Sequence, residues 1–111
     1  MNTEIDEVVI KGKRYIPADS VRREFDGPIK IVVLQRGWVL IGRMERENST
    51  CRLHNARVIR IWGTTKGLGE LAAGGPTDKT VLDATNGVVE FEALTVVLTI
   101  AAEESKWKNI L

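Results

Sequence analysis

Residues 29–44 have the sequence IKIVVLQRGWVLIGRM, and this stretch decides the fold. Its first half is β-branched and almost continuously apolar, which predicts a strand covered on both faces. Its second half predicts another strand, in which Gly42 marks a bulge or a point of close packing. Arg36-Gly37, between the two halves, turns the chain or forms a bulge. The stretch therefore predicts two consecutive strands of a sheet.

Outward from these strands, the pattern predicts further strands and two helices. The segments concerned are strands at 51–54, 57–62, 88–92 and 94–100, a short helix at 66–73 and a terminal helix at 101–111. Asn86-Gly87 is the strongest hairpin signal, since a type I′ turn needs positive φ at both central residues. We expect Trp38 in the core and Trp107 to dock the terminal helix. The predicted fold is α+β and mostly β, an antiparallel meander sheet with a short internal helix and a C-terminal helix.

The chain has 111 residues, which is the common length of one domain. We predict a single domain with four consecutive segments. They are an N-terminal hairpin and turn at 1–28, an arginine-rich β-meander at 29–62, a glycine-rich turn and short helix at 63–76, and an acidic hairpin with the C-terminal helix at 77–111.

Charge is unevenly distributed along the chain, although the formal net charge is only +1. Residues 36–66 carry seven basic side chains against two acidic ones, whereas residues 67–104 carry one lysine against seven acids. A small net charge gives no global attraction to nucleic acid or to a membrane. The distribution makes the middle third the positively charged part of the chain.

Cysteine, histidine and apolar content exclude several classes of protein. One cysteine and one histidine allow no internal disulfide framework and argue against a Cys/His zinc site, so we expect no metal and no cofactor. No apolar run approaches the roughly 18 to 20 residues that span a bilayer. Residues 1–7 are polar and acidic, unlike a secretory signal, which favours a soluble cytoplasmic protein.

Three motifs have a catalytic or cofactor-binding interpretation and a simpler one. Residues 67–72, GLGELA, match the G-x-G-x-x-A dinucleotide pattern, but the helix is too short and no parallel crossover follows, which favours tight packing at a helix entry. The other interpretation is an anion-binding turn, in which Thr64, Thr65 and the exposed amides at the helix start hold one phosphate. Cys51 and His54 lie three apart on a strand, so they point to opposite faces. Glu90 and Glu92 share one strand face, which is typical of a solvated surface. We therefore expect no catalytic residues and no enzymatic activity.

The strongest binding constellation lies between the last strand of the meander and the short helix. Arginine forks match phosphate oxygens, tryptophan offers a stacking face, and threonines supply hydroxyl donors. The candidate ligand-binding residues are Arg57, Arg60, Trp62, Thr64, Thr65 and Lys66. Alternation places Arg60 and Trp62 on one face and Arg57 on the other, so convergence requires a subunit interface. The alternative interpretation is a core tryptophan with surface arginines. The candidate partner-binding residues are Arg36, Arg43, Arg46 and Arg52.

The block NARVIRIWG at 55–63, followed by GLGELA at 67–72, resembles a family of small phage- and prophage-encoded proteins of unassigned function. In that family a strand pair presenting a glycine precedes an A-R-x-(L/I)-x-x-W block, a small-residue turn, an S/G-L-x-x-L-A-x-G segment and a β-branched strand. The similarity covers about residues 29–101, and Gly67 and Gly69 replace the usual serines. The resemblance implies a phage origin, a non-catalytic role and a location in the cytoplasm of the infected bacterial host.

The leading hypothesis is a phage-encoded, non-enzymatic counter-defence protein that forms a homo-oligomer. Its copies associate by edge-to-edge strand pairing or by head-to-tail contact between the oppositely charged halves of the chain. Its partner is either a host defence protein or a cyclic-nucleotide-type signal that it sequesters. One alternative is a virion or tail accessory protein. Another, less favoured, is a small nucleic-acid-binding module that uses the meander as an electrostatic track.

Overall fold

In the computed structural model, which describes residues 25–111, strands dominate, with one short helix between the third and fourth described strands and another after the sixth. The elements are β1 Ile29–Leu34, β2 Trp38–Glu47, β3 Thr50–Ile61, α1 Leu68–Gly74, β4 Val81–Ala84, β5 Val89–Glu92, β6 Val96–Ala101 and α2 Glu104–Trp107. The hairpin predicted within residues 1–28 lies outside the described residues. No helix among residues 25–111 is long and apolar enough to cross a bilayer.

The described strands form one antiparallel sheet, which confirms the predicted fold class. The order is β4-β3-β2-β1-β6, and β5 pairs with the first part of β3 while β4 pairs with its last part. Arg36 (φ 69°) and Gly37 (φ 83°) form the turn between β1 and β2, as predicted. Gly42 lies at a register shift between β2 and β3, where an added Cβ would lie 2.8 Å from the carbonyl oxygen of His54. Both predictions for Gly42, a bulge and close packing, are confirmed.

The short link between β5 and β6 forces the sheet to curl. Glu92, the last residue of β5, is paired with Thr50, whereas Val96, the first residue of β6, is paired with Leu34. In a flat sheet these two positions would lie roughly 35 Å apart. The three residues Ala93–Thr95 join them, and that length of chain spans at most about 15 Å. The strands must therefore coil so that the two ends of the sheet approach each other.

Curling separates the apolar residues into two cores, one on each side of the sheet. The inner core is enclosed by the curl, and its buried members are Val32, Leu40, Leu53 and Ala56. The outer core lies beneath the two helices, and its buried members are Ile29, Ile31, Ile41, Ile59, Leu71, Ala72 and Trp107. Alternation along β1 and β2 assigns successive residues to the two cores in turn, which explains why the sequence there is almost continuously apolar.

Trp107 joins both helices to the outer face of the sheet. Its side chain is fully buried, and its indole Nε1 donates to the carbonyl oxygens of Leu71 at 3.2 Å and Ala72 at 3.3 Å. These carbonyls lie in α1, so α2 is fastened to α1 by a side chain that also fills the outer core. The predicted docking role of Trp107 is confirmed.

The predicted acidic hairpin at Asn86-Gly87 is wrong. β4 and β5, on either side of it, both pair with β3 and not with each other. Asn86 has the positive φ of a turn, 64°, but residues 85–88 face the interrupted middle of β3, where Ala56 N–H donates to the Gly87 carbonyl at 3.3 Å. β4 and β5 both form backbone hydrogen bonds with the long strand β3. This pairing between distant segments replaces the local hairpin that the two-residue turn predicts. The terminal helix predicted at 101–111 is also shorter in the structure, since β6 includes Ala101 and α2 spans only Glu104–Trp107.

Trp107→Ala is expected to lower the free energy of unfolding by about 3–5 kcal/mol, because it opens a large cavity in the outer core. Trp107→Phe, which keeps most of the volume but loses the N–H donor, is expected to cost less. Urea unfolding followed by circular dichroism measures both. Trp38→Ala is the matched control, since Trp38 is exposed, and it should stay within about 1 kcal/mol of the parent. Equal losses for Trp107→Ala and Trp38→Ala would contradict the assignment of the core.

Candidate functional site

The arginines of the predicted ligand site lie on opposite faces of β3, as alternation predicts. Arg60 extends on the face of Val58, where its Nε donates to Asp83 Oδ2 at 2.8 Å. Hydrogen bonding to Asp83 raises the pKa of the Arg60 guanidinium above its ordinary value. Arg57 is opposite Ile41, a member of the outer core, and therefore lies on the other face. The two guanidinium groups do not converge on one site.

The remaining residues of that constellation build the turn before α1. Thr64 Oγ1 donates to the Gly67 carbonyl at 2.9 Å, and Thr65 Oγ1 donates to Glu70 at 3.3 Å. The backbone N–H of Lys66 also donates to Glu70, at 2.8 Å. The hydroxyl and amide donors expected to hold a phosphate are thus engaged within the turn, two of them by a carboxylate that would repel an anion.

Trp62 is open to solvent, with 42% of its surface exposed. Its ring lies over the helix entry, because an added Cβ on Gly67 would be 3.9 Å from its Cζ3. The alternative interpretation of Trp62 as a core residue is wrong, and its indole remains accessible for stacking.

Two of the predicted partner-binding arginines hold the fold together. Arg43 Nη2 donates to Glu104 Oε2 at 2.7 Å and its Nη1 to the Gly27 carbonyl at 2.9 Å, which ties β2 to α2. Arg52 Nε donates to Glu90 Oε2 at 2.8 Å across the β3–β5 pair. The hydrogen bond from Arg43 lowers the pKa of Glu104, and the hydrogen bond to Glu90 is the main cause that raises the pKa of Arg52.

The other two partner-binding arginines are exposed. Arg36 lies at the tip of the β1–β2 turn. Arg46 donates from Nε to the Asn48 carbonyl at 2.8 Å. Arg46 forms no ion pair with a carboxylate of residues 25–111. Of the four residues, Arg36 and Arg46 are therefore the ones placed to meet another molecule.

An apolar groove that the sequence did not suggest opens at one end of the inner core. Its volume is about 320 Å³, and it is lined by Leu34, Trp38, Leu40, Val58, Thr85, Val89, Glu90 and Phe91. Trp38 is 56% exposed, so its predicted place in the core is wrong. Trp38 is the first residue of β2, directly after the left-handed turn at Arg36 and Gly37, and it is paired with Leu34, the last residue of β1.

The chemistry of this groove is that of a contact surface. Most of its lining is aliphatic or aromatic, and Arg36 occupies the adjoining turn. Tryptophan and arginine beside an apolar pocket are the residue types that dominate binding energy in protein interfaces. The only signal for the groove in the sequence was the Arg36-Gly37 turn. This turn places the following residue, Trp38, at the margin of the sheet.

Cys51 and His54 lie on opposite faces of β3, as predicted. Cys51 is buried on the inner side. His54 Nε2 is 2.7 Å from Glu45 Oε1, and its ring stacks on Phe25 at 4.5 Å between centroids. The two side chains therefore do not form a nucleophile–base pair.

Comparison with known proteins adds no residue to this site. The sequence matches no protein-family model, and no curated protein shows significant similarity to it. The interpretation of the groove therefore follows from its geometry.

Glu104→Gln is expected to reduce stability at neutral pH and to flatten the dependence of stability on acid. Because the folded-state pKa of Glu104 is lowered, its ion pair stabilises the protein above the ordinary carboxyl pKa of about 4.5 and ceases to do so as pH falls through the lowered value. Urea unfolding from neutral pH to about pH 3 measures this.

Glu103→Gln is the matched control, because Glu103 accepts a hydrogen bond only from Ser105 among the side chains of residues 25–111. Its stability should parallel that of the parent at every pH. A Glu104→Gln curve that also runs parallel to the parent throughout this range would contradict the role of the Arg43–Glu104 pair.

Proposed function

We propose that this protein is a phage-encoded, non-enzymatic counter-defence protein that inhibits a host defence protein by direct contact in the bacterial cytoplasm. The observation that carries the proposal is the open apolar groove beside Trp38. The resemblance of residues 29–101 to small phage proteins is the reason for seeking the partner in the bacterial host.

The groove suits a protein segment that presents apolar side chains. Trp38 supplies a large rigid surface to the lining, and Val89 and Phe91 add apolar surface that packs on the inner core. Burying such a surface against a partner removes apolar area from water at about 25 cal/mol per Å². Arg36 at the adjoining turn adds a forked donor at the rim, where acidic side chains or carbonyl groups of the partner can accept.

Direct contact is favoured over sequestration of a nucleotide. The donors that a phosphate needs are dispersed over two faces or already bonded to Asp83 and Glu70. A nucleic-acid track is less favoured for a related reason. Arg43, Arg52 and Arg60 each pair with a carboxylate, so three of the cations that would release counterions are already neutralised.

Trp38→Ala is expected to weaken binding of the host partner by about 30-fold or more, since interface tryptophans commonly contribute at least about 2 kcal/mol. The partner is isolated on the immobilised protein from infected-host lysate and purified, and its Kd is then measured by calorimetry for each variant. Trp62→Ala is the matched control and should change Kd less than about threefold.

The possible results distinguish contact through the groove from the alternative functions. Loss of affinity with Trp62→Ala but not with Trp38→Ala would overturn the groove as the contact site. Binding heat from cyclic di- or trinucleotides, abolished by Arg60→Ala, would instead support sequestration of a signal. A protein found in purified particles and not with a host protein would favour the virion alternative.

We also propose that two copies pair through β6. Residues 93–102 contain no charged side chain, although charged residues make up 28% of the whole chain. β6 pairs with β1 on one side and ends the order of described strands on the other. Leu94 and Val97 beside this edge are 89% and 60% exposed. Edge strands of monomeric proteins normally carry charged side chains, which prevent edge-to-edge association. A neutral edge strand can pair with the same strand of a second copy without charge repulsion.

Val97→Lys is expected to convert a dimer into a monomer of 12.3 kDa, because it adds a charge to the neutral edge of each copy. Light scattering coupled to size exclusion gives the mass. Val88→Lys is the matched control, since Val88 is 52% exposed but lies outside β6, and this variant should remain dimeric. A parent protein that is monomeric at all concentrations would refute edge pairing and leave the groove proposal standing.

A further inference from the structure

A second cavity opens at the other end of the inner core, between β6 and the β2–β3 hairpin. Its volume is about 410 Å³, within the usual range for small-molecule sites. The residues that line it are Lys30, Met44, Arg46, Cys51, Ala93, Val96, Leu98 and Thr99. It contains none of the residues that line the Trp38 groove.

The cavity combines an apolar interior with two positive charges. Met44, Cys51 and Val96 line it with thioether, thiol and aliphatic groups. Lys30 and Arg46 are the charged members of the lining, and no acidic residue is among them. Neither cation forms an ion pair within residues 25–111.

The position of Lys30 is unusual for a surface lysine. Lys30 lies on the same face of β1 as Val32 and Leu34, because these residues are two and four positions further along the strand. It therefore occupies an inward-facing position of the curled sheet. It is half-buried beside apolar side chains, where a charge without a partner is unfavourable. Arg46 lies two residues beyond Met44 on the same face of β2, so the two cations belong to the same opening.

We infer that this cavity binds a small amphipathic anion, a monocarboxylate with a medium-length aliphatic body. The carboxylate accepts hydrogen bonds from Lys30 and Arg46 at the opening, and the hydrocarbon chain lies against Met44, Val96 and Leu98. Such a ligand supplies the missing counter-charge and fills apolar space at once. The site is independent of the Trp38 groove and of the partner proposed for it.

The experiment is calorimetry with decanoate below its micelle concentration, on the full chain. Acetate carries the charge without the hydrocarbon body, and decanol carries the body without the charge. We expect decanoate to bind at one site, and acetate and decanol to bind at least about tenfold more weakly. Decanol binding as tightly as decanoate, or no binding of decanoate, would overturn the inference.

Substitutions then locate the site. Lys30→Gln and Arg46→Gln are each expected to weaken decanoate binding by about tenfold, since each removes a charge-assisted hydrogen bond. Lys79→Gln removes a cation elsewhere and is expected to leave the affinity unchanged. If the two cavity variants bind decanoate as the parent does, the ligand lies elsewhere and the inference fails.

Cys51 provides a readout that does not depend on heat. It is the only cysteine of the chain and lines this cavity, so bound decanoate should slow its reaction with a small thiol reagent. Acetate at the same concentration should not slow it. Equal labelling rates with and without decanoate would place the ligand outside the cavity. The Trp38→Ala variant should show the same protection as the parent, which separates this result from that for the groove.

Discussion

The link of three residues between β5 and β6 is the constraint on which the rest of this structure depends. A sheet with this strand order cannot lie flat while so short a segment joins its two ends. The curl that results encloses the inner core and directs the opposite face towards the helices. Among the described strands, β4 and β6 end the sheet order and do not pair with each other, and two openings lead to the inner core. The Trp38 groove and the cavity beside Lys30 are these two openings.

Several of the opposite charges of the two halves of the chain are paired within the fold. Basic residues of β2 and β3 meet acidic residues that come later in the sequence, as in Arg52–Glu90 and Arg60–Asp83. A charge pattern that suggests an electrostatic surface when read along the sequence therefore becomes a set of cross-strand pairs. Such exposed pairs contribute little stability individually, but like charges opposite each other would disfavour other registers. What remains for recognition is chiefly apolar surface.

The sequence predicted the parts of the fold that depend on local alternation and failed where distant segments decide. The strands around residues 29–44, the turn at Arg36-Gly37 and the docking of Trp107 follow from patterns within a few residues. Asn86-Gly87 has the composition of a hairpin turn, but the length of β3 and its interruption near Ala56 determine the pairing there. The exposure of Trp38 depends on the curl, which no local pattern records. Likewise, strand alternation predicted that Arg57 and Arg60 lie on opposite faces. It did not predict that Asp83 pairs with Arg60, because that contact depends on the pairing of β3 with β4.

The three indoles occupy three different environments. Trp107 is sealed in the outer core, Trp38 borders the groove, and Trp62 lies over the entry to α1. Indole emission shifts to longer wavelength as water gains access to the ring. The intrinsic fluorescence of this protein is therefore the sum of the emission of one buried and two solvent-exposed tryptophans. Quenching by a soluble agent such as acrylamide would reach the latter two first. The molecule thus carries its own optical probes, and occupancy of either exposed region can be followed without attaching a dye.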